Sequence, residues 1–456
     1  MLSVESFISL VDNKFWKHIH RGTDFPNKGR VPDRKKFLSS LFHEVKAAKY
    51  APSPPRGYVV SHKENLVVRF IPALTREDYC VYFYCLRALE DELAKNRVEG
   101  TYGGWKLGGK IRKLENSEEE AMDVPYGSDH GYNKHAWKEA WTEFQRKAYE
   151  LHSNNRYQYY VVFDVANFYD CIRLDRLENL VRSVVGSEKS QEVSLLFYFL
   201  SHWNRKYLSY ERQSVGLPQD EVGDCSRILS NFYLQDYDSY MSKLTREVKA
   251  RYLRYADDQI LACRTDKDAK KLMFHASEGL AKIGLNLNAS KARFFDRVQY
   301  EQYWSFDIFE LLSAIDDNRN IVKAYRLFKA RKAKLAKTGE KMKTAPVLKR
   351  FLNCQLGKLP GITRGGIIKL VLDDDFIKNA NSYYLGKTYS LLDRQGKRKF
   401  IDKLEGLSES VLFNQYHLRV IRFARESRIS LWKFRRVREN LRQMNRWDRS
   451  RLESVR

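Results

Sequence analysis

Two adjacent aspartates between two short apolar segments restrict the fold of this 456-residue chain more than any other feature of its sequence. The segment Arg251–Cys263 (RYLRYADDQILAC) predicts a β-hairpin, and its turn contains Asp257 and Asp258. Two like charges at neighbouring positions repel each other unless a positive charge lies beside them. A divalent cation is one such charge, so the hairpin predicts a carboxylate site at the edge of a sheet.

A third aspartate, Asp164, directly follows Tyr157–Phe163 (YQYYVVF), a segment that predicts a buried strand. Apolar spacing predicts the later elements, which are helices at Leu174–Val185, Ser226–Leu244 and Ala269–Ile283 and a strand near Ala292–Phe295. The order strand, helix, helix, hairpin, helix, strand is typical of a split βαβ sheet with helices on one face. In such a sheet the strand that ends at Asp164 lies beside the hairpin.

Three carboxylates placed in this way suit two-metal nucleotidyl transfer. Two cations about 3.5–4 Å apart activate a 3′-hydroxyl and stabilise the leaving pyrophosphate. Hard cations bound by a few carboxylates and by substrate phosphates are typically Mg²⁺. A Tyr-x-Asp-Asp tetrapeptide occurs by chance about once in ten chains of this composition, so it is weak evidence alone. The alternative is that each aspartate only forms a turn.

The net charge indicates a polyanionic partner. The chain has 82 Lys and Arg residues against 57 Asp and Glu, a net charge of +25 and a pI near 9.6. Such an excess is typical of nucleic-acid binding, and a solvated basic face is the alternative. The excess is concentrated in Arg319–Arg350 and in Arg419–Arg456, and the latter segment also contains Trp432, Phe434 and Trp447.

Other classes of protein are less compatible with the composition. The mean hydropathy is −0.59, and no apolar run approaches the ~18 residues that a membrane helix needs. The six cysteines include no CxxC pair, which argues against a disulfide scaffold or a structural zinc site. The N-terminal segment MLSVESFISLVDNKF does not have the pattern of a signal peptide. We therefore expect a reduced, soluble, cytoplasmic protein with no membrane partner.

Four segments, in their order and spacing, resemble the palm motifs of bacterial reverse transcriptases. They are Phe163–Ile172 (FDVANFYDCI) for motif A, Gly216–Gln219 (GLPQ) with Ser226, Leu229 and Asn231 for motif B, Tyr255–Asp258 (YADD) for motif C, and Gly284–Asn288 (GLNLN) with Lys291 for motif D. Upstream, Arg69–Pro72 and Arg76–Asp78 resemble the fingers motifs of these enzymes. The resemblance extends over residues 57–310.

The resemblance implies an α+β fold, namely a right-hand polymerase with a split βαβ palm, fingers and a helical basic thumb-like C-terminal region. We expect an N-terminal helical extension over residues 1–54 and fingers over residues 55–155. The palm, with motifs A to D, is expected over residues 156–312, and the thumb-like domain over residues 313–456.

The resemblance also assigns a metal site. Asp164, Asp257 and Asp258 correspond to the catalytic carboxylates that bind the metal ions. The carbonyl oxygen of Val165 is expected to be a further ligand. Asp258 is expected to bind less directly, because consecutive residues of a strand point to opposite sides.

Four further residues correspond to substrate-contacting positions of the family. Tyr169 is at the steric-gate position, where a bulky ring clashes with a ribose 2′-hydroxyl; a core tyrosine is the alternative. Gln219 is expected to line the nucleotide and template side of the pocket. Arg69 is expected to contact the triphosphate, and Lys291 to protonate pyrophosphate as a general acid. A surface salt bridge and an ordinary surface lysine are the respective alternatives.

The sequence departs from the family pattern in motif B. Asp220 follows Pro218-Gln219, where the family usually has glycine, and the segment from Gln219 to Ser226 is longer than usual. The Val-Thr-Gly tripeptide of retron enzymes and a zinc-finger endonuclease pattern are absent from the sequence. With the long basic C-terminus, these features are most similar to the defence-associated, abortive-infection-type reverse transcriptases.

The expected function is Mg²⁺-dependent polymerisation of dNTPs into DNA, with Mn²⁺ as an alternative cation. The expected partners are an RNA template or non-coding RNA and the DNA product, in antiphage defence, with a second defence protein or another copy of the chain left open. Asp220 leaves open a template-independent or protein-primed synthesis by the same site. An inactive RNA-binding scaffold is the second alternative, and the presence of all three aspartates argues against it.

Overall fold

The computed structural model describes residues 3–21, 31–62, 68–105, 107, 136–204, 213–219, 224–338 and 342–443. Contacts divide the chain into two compact units. The first unit comprises Met1–Tyr58 and Ile71–Arg297, and the second comprises Val59–Phe70 and Val298–Arg456. Each unit has its own hydrophobic core. No helix in the described ranges is long and apolar enough to cross a membrane.

The first unit consists of helices packed around one sheet. Its helices are α1 (Val4–Leu10), α2 (Asn13–Arg21), α3 (Arg34–Lys46), α4 (Arg76–Ala94), α5 (Ala136–Ser153), α6 (Phe168–Cys171), α7 (Leu174–Val184), α8 (Ser190–His202), α9 (Asp224–Tyr233), α10 (Gln235–Glu247) and α11 (Asp266–Lys282). Helix α4 contacts α1, α8 and α9, so it is buried along most of its length. Its N-terminus is capped by Thr75, whose hydroxyl accepts a hydrogen bond from the N–H of Asp78.

The central sheet has five strands in the order β3-β5-β6-β4-β7. They are β3 (Thr101–Tyr102), β4 (Tyr159–Phe163), β5 (Arg251–Tyr255), β6 (Asp258–Cys263) and β7 (Arg293–Asp296). The pairs β5–β6, β6–β4 and β4–β7 are antiparallel, whereas β3 runs parallel to β5. Helix α11 packs on β4 and β6. The predicted hairpin and its position beside the strand that precedes Asp164 are therefore confirmed.

One predicted helix is wrong. The sequence favoured a single helix over Ser226–Leu244, but the structure has two, α9 and α10, separated at Leu234. The N–H of Leu234 donates to the carbonyl of Asn231, three residues earlier, which tightens the last turn of α9 and ends it. The break allows Asn231 on α9 and Asp238 on α10 to reach the same buried side chain, that of Arg254.

The second unit is helical. It contains α12 (Arg297–Trp304), α13 (Phe306–Leu311), α14 (Asn318–Thr338), α15 (Thr344–Leu352), α16 (Gly361–Val371), α17 (Asp374–Asn379), α18 (Ser382–Ser390), α19 (Arg394–Leu407) and α20 (Asn414–Glu426). Strands β1 (Tyr58–His62) and β2 (Val68–Pro72) form a separate two-stranded sheet. The predicted α+β class, with a helical basic C-terminal region, is confirmed. The predicted domain boundaries stay a prediction.

Gly100 allows β3 to lie against β5. Its φ is +82°, in the left-handed region that glycine adopts without strain. Its carbonyl accepts a hydrogen bond from the N–H of Arg254 at 2.9 Å. A Cβ atom at this position would lie 2.7 Å from the carbonyl oxygen of Tyr252, which is backbone and cannot turn aside.

We expect Gly100→Ala to lower the free energy of unfolding by about 1–3 kcal/mol, because the alanine would have a strained backbone and a short backbone contact. Gly365→Ala is the matched control, since a Cβ at Gly365 in α16 meets nothing within 4 Å. That control should leave stability unchanged or raise it by up to about 1 kcal/mol. Chemical denaturation measures both, and equal stabilities of the two variants would contradict the prediction.

Candidate active site

Strand register brings the three predicted carboxylates to one end of the sheet. Phe163 of β4 pairs with Gln259 of β6, so the next residue, Asp164, lies opposite Asp258. Tyr255 of β5 pairs with Asp258, and the two-residue turn between the strands is Ala256-Asp257. The hairpin and the end of β4 therefore place Asp164, Asp257 and Asp258 together, although 93 residues separate the first from the second.

The turn that holds Asp257 has an unusual backbone. Ala256 has a φ of +50°, a left-handed conformation that costs a non-glycine residue roughly 1–2 kcal/mol. The carbonyl of Ala256 accepts a hydrogen bond from Nη1 of Arg254 at 2.9 Å. The side chain of Arg254 thus holds the turn from inside the protein.

Arg254 is fully buried, and its guanidinium donates four hydrogen bonds to described residues. It donates from Nε to Oδ1 of Asp238 at 2.7 Å, from Nη2 to Oδ2 of the same carboxylate, and from Nη1 to Oδ1 of Asn231 at 2.8 Å. Burial alone would lower the pKa of Arg254, but the carboxylate of Asp238 outweighs it and raises the pKa, so the guanidinium stays charged.

The same cluster connects the turn to other elements of the first unit. The amide of Asn231 donates to the carbonyl of Gly104 at 3.1 Å and to that of Gly103 at 3.3 Å. The hydroxyl of Tyr252 donates to Oδ1 of Asp238 at 2.9 Å. Helices α9 and α10, strand β5 and the chain after β3 are therefore linked by buried hydrogen bonds beneath the carboxylates.

Reasoning from the sequence assigned no role to Arg254 or to Asp238. A signal was present, because Arg254 is a charged residue inside an apolar strand, two positions before Ala256. A buried charge of this kind needs a partner. The partner could not be identified, because Asp238 belongs to a segment that was predicted as the middle of a single helix.

Asp164 is buried, with 4% of its surface exposed, and its two carboxylate oxygens differ. Oδ2 accepts a hydrogen bond from Nζ of Lys291. Oδ1 is buried and has no hydrogen-bond partner among the described residues. A buried carboxylate oxygen without a partner is costly, which makes Oδ1 a candidate ligand for a cation.

Lys291 reaches Asp164 because the segment after α11 runs beside the end of β4. The N–H of Asn288 donates to the carbonyl of Asp164 at 2.9 Å, and Val165 and Leu287 form an isolated antiparallel bridge. Partial burial would lower the pKa of Lys291, but the three carboxylates outweigh it and raise the pKa. The ammonium is therefore charged and faces the acids.

The carbonyl of Val165 points away from the isolated bridge between Val165 and Leu287. The two hydrogen bonds of the bridge use the N–H groups of Ala166 and Asn288, which donate to the carbonyls of Asn286 and Asp164. In an antiparallel pair of this kind, the polar backbone groups of the central residue face outward. The orientation is compatible with the predicted role of Val165 as a further oxygen ligand.

Asp257 is half-buried, and its pKa is raised to about 6, chiefly by loss of water and then by the neighbouring charge of Asp258. The charge of Asp164 acts in the same direction, while Lys291 opposes it. No group of three or more His, Cys, Asp or Glu residues in the described ranges is already arranged around a metal position. A carboxylate cluster with an unpartnered oxygen and a disfavoured negative charge nevertheless fits a hard divalent cation.

Tyr169 and Gln219 belong to two segments that the structure brings together. The N–H of Leu217 donates to the carbonyl of Tyr169 at 2.9 Å, and the N–H of Gly216 donates to that of Ile172 at 2.9 Å. Tyr169 is half-buried at the edge of the core. Oε1 of Gln219 is buried and has no hydrogen-bond partner in the described part of the chain.

The backbone before Gln219 is fixed by buried hydroxyl groups. The hydroxyl of Ser226 donates to the carbonyl of Pro218, and that of Tyr82 lies 2.8 Å from Oγ of Ser226. Because the single proton of Ser226 is used on Pro218, Tyr82 is the donor to Ser226. Asp220, the departure from the family pattern, lies outside the described residues.

Arg69 lies on β2 with an exposed side chain, and it belongs to the second unit. The three carboxylates belong to the first unit. The predicted contact of Arg69 with a triphosphate stays a prediction.

Residues 113–305 match the family model described as "Reverse transcriptase (RNA-dependent DNA polymerase)". The match contains every predicted site residue except Arg69. This part of the chain is therefore similar to reverse transcriptase domains, and the resemblance seen in the motifs is confirmed for these residues. No curated protein matches the chain in sequence.

Two solved structures of telomerase are similar to the chain. The apo telomerase from Candida tropicalis truncated from its C-terminal domain has a TM-score of 0.33 at 16% identity, with 59% of this chain and 58% of that chain covered. The apo telomerase from Candida tropicalis has a TM-score of 0.38 at 11% identity, with 81% and 66% covered. The chain thus spans less than two thirds of the length of either structure.

We expect Arg254→Lys to lower kcat for dNTP incorporation by about 10²-fold, with little change in the KM for dNTP. Lysine keeps the buried charge but loses the planar fork that holds the Ala256 carbonyl, and small displacements of reacting groups have effects of this size. Asn231→Ala removes one acceptor of the Arg254 Nη1 group and should also lower kcat. This second variant keeps the prediction testable if Arg254→Lys does not fold.

The matched control is Arg331→Lys. Arg331 makes a bidentate pair with Asp307, with Nη1 at 2.9 Å from Oδ1, and both residues belong to the second unit. The control should lower thermal stability and leave kcat unchanged. Folded Arg254→Lys and Asn231→Ala variants with normal kcat would show that the cluster has a structural role only.

Proposed function

We propose that this chain is an RNA-directed DNA polymerase that uses Mg²⁺, with Mn²⁺ as an alternative cation, to copy RNA into DNA. The observation that favours this function most is the placement of Asp164 opposite Asp258, with the unpartnered Oδ1 of Asp164 buried beside the Asp257 turn. This placement lies within residues 113–305, the part of the chain that matches the reverse transcriptase family model.

Asp164, Asp257 and Asp258 would hold the metal ions, with the carbonyl of Val165 as a further ligand. Bound divalent cations would supply activation of a primer 3′-hydroxyl and stabilisation of the leaving pyrophosphate. Lys291, whose charged Nζ already contacts Oδ2 of Asp164, lies at this site and is the proposed proton donor to pyrophosphate.

The nucleotide pocket involves residues of motifs A and B. Tyr169 would exclude a ribose 2′-hydroxyl with its half-buried ring. Its backbone is fixed by the hydrogen bond from the N–H of Leu217 to its carbonyl. Gln219 would use its unpartnered Oε1 on the nucleotide or template side. Arg69, with its exposed side chain, would contact the triphosphate.

RNA is the proposed partner of the basic residues of the second unit. Helix α14 has exposed cations that pair with no carboxylate in the described ranges, namely Arg319, Lys323, Arg326, Lys329, Lys332, Lys334 and Lys337. Phosphate contacts from such residues give binding without sequence preference.

The resemblance to defence-associated enzymes supports a role in antiphage defence in the cytoplasm.

The double variant Asp257→Ala, Asp258→Ala should abolish dNTP incorporation on a primed RNA template without unfolding the chain. The two charges repel each other when no cation is present, so their removal should not lower the melting temperature. Asp374→Ala with Asp375→Ala is the control, because it removes two adjacent exposed aspartates from α17 in the second unit. Normal incorporation by the first variant would overturn the proposed function.

Tyr169→Ala should raise the use of ribonucleotides relative to deoxynucleotides by about tenfold or more, because the ring no longer clashes with the 2′-hydroxyl. The ratio of kcat/KM for rNTP and dNTP measures this change. Tyr383→Ala, at an exposed tyrosine of α18, should leave the ratio unchanged. An unchanged ratio in Tyr169→Ala would make this residue a core tyrosine.

A further inference from the structure

Trp432 of the second unit is strongly exposed, with 84% of its surface in solvent. This exposure excludes a position for the ring in the hydrophobic core. Exposure of so large an apolar side chain is unusual, because burial of an aromatic ring contributes substantially to stability.

The exposure does not result from a loosely attached segment. Two residues later in the same 3₁₀ turn, Phe434 is fully buried, and so is Val437. The N–H groups of Arg436 and Val437 both donate to the carboxylate of Glu405 on α19. The chain directly after Trp432 is therefore anchored, and the indole ring extends from a fixed backbone.

The surroundings of Trp432 are cationic. Between residues 428 and 443 there are six arginines and lysines and one acid, Glu439. The guanidinium of Arg438 lies 5.5 Å from the centroid of the Trp432 ring, a cation–π contact that orients the ring. Lys433, Arg435 and Arg442 make no ion pair with any residue in the described part of the chain, and all three are exposed.

We propose that Trp432 is a stacking platform for an unpaired base of single-stranded nucleic acid, with phosphates bound by Lys433, Arg435 and Arg442. An exposed, fixed aromatic ring beside unpaired cations is the combination that binds single strands, because every base has a face to stack and every nucleotide has a phosphate. A duplex hides its base faces, so this site selects single strands. The proposal adds a single-strand binding site to the proposed polymerase. It rests on the proposed function, because that function supplies the strand, either the RNA template or the DNA product.

The test measures affinity of the full-length chain for labelled oligo(dT), labelled oligo(U) and a labelled hairpin duplex, without dNTPs or divalent cations. Trp432→Ala should weaken binding of single strands by about tenfold, and Trp432→Phe by much less, since phenylalanine keeps a ring. Binding of the duplex should change by less than about twofold. The single strand that loses more, DNA or RNA, identifies whether product or template occupies the platform.

Salt dependence separates stacking from phosphate binding. Trp432→Ala should leave the slope of log K against log salt unchanged. The triple variant Lys433→Ala, Arg435→Ala, Arg442→Ala should reduce the slope by about two, because each phosphate contact on a single strand contributes about 0.7. Leu412→Ala, at a residue that is 85% exposed in the same unit, is the control and should change neither affinity nor slope.

Two results would overturn the platform. One is unchanged affinity of Trp432→Ala for both single strands. The other is an equal loss for single strands and duplex. If Trp432→Ala instead alters the sedimentation of the chain at unchanged affinity, the surface is a contact between copies and the proposal is wrong. The binding assay needs no catalysis, so it tests the platform separately from the polymerase activity. If Trp432→Ala weakens single-strand binding but the unaltered chain incorporates no dNTP, the proposed function is overturned and the platform is not.

Discussion

The buried ion pair between Arg254 and Asp238 is the interaction on which the site depends. Removing two charges from water costs several kcal/mol for each ion, so such a pair contributes little net stability. It does impose one geometry, because a planar guanidinium bonded to a carboxylate, an amide oxygen and a carbonyl has no other arrangement available. That geometry holds Ala256 in a left-handed conformation and fixes the direction in which Asp257 leaves the turn.

Above this pair, the charges of the site are unbalanced in a way that suits ion binding. Three carboxylates converge at the sheet end, and Lys291 contacts one of them directly, at Oδ2 of Asp164. Burial and like charge raise the pKa of Asp257, and Oδ1 of Asp164 has no partner in the described ranges. Cations would relieve both costs. The net charge of +25 on the whole chain then favours the approach of nucleic acid to this acidic centre.

Local patterns predicted the main elements between Tyr157 and Phe295, but they could not predict which distant residues pair. Strand alternation and the Tyr157–Phe163 segment predicted a hairpin beside the strand of Asp164, and the register of β4 and β6 agrees. The break at Leu234 was missed because apolar spacing continues across it. The partner of Arg254 was missed for the same reason, since Asp238 reaches it only after that break. The exposure of Trp432 is set by the anchoring of Phe434 and Val437, which sequence spacing does not reveal.

The measurement that tests RNA-directed copying most directly is sequencing of the DNA made by the purified chain, together with the RNA that copurifies with it. Copying by the Asp164–Asp257–Asp258 site predicts DNA that is complementary to a segment of that RNA. A homopolymer or repeat with no complement in the RNA would contradict templated copying and would favour template-independent synthesis by the same carboxylates.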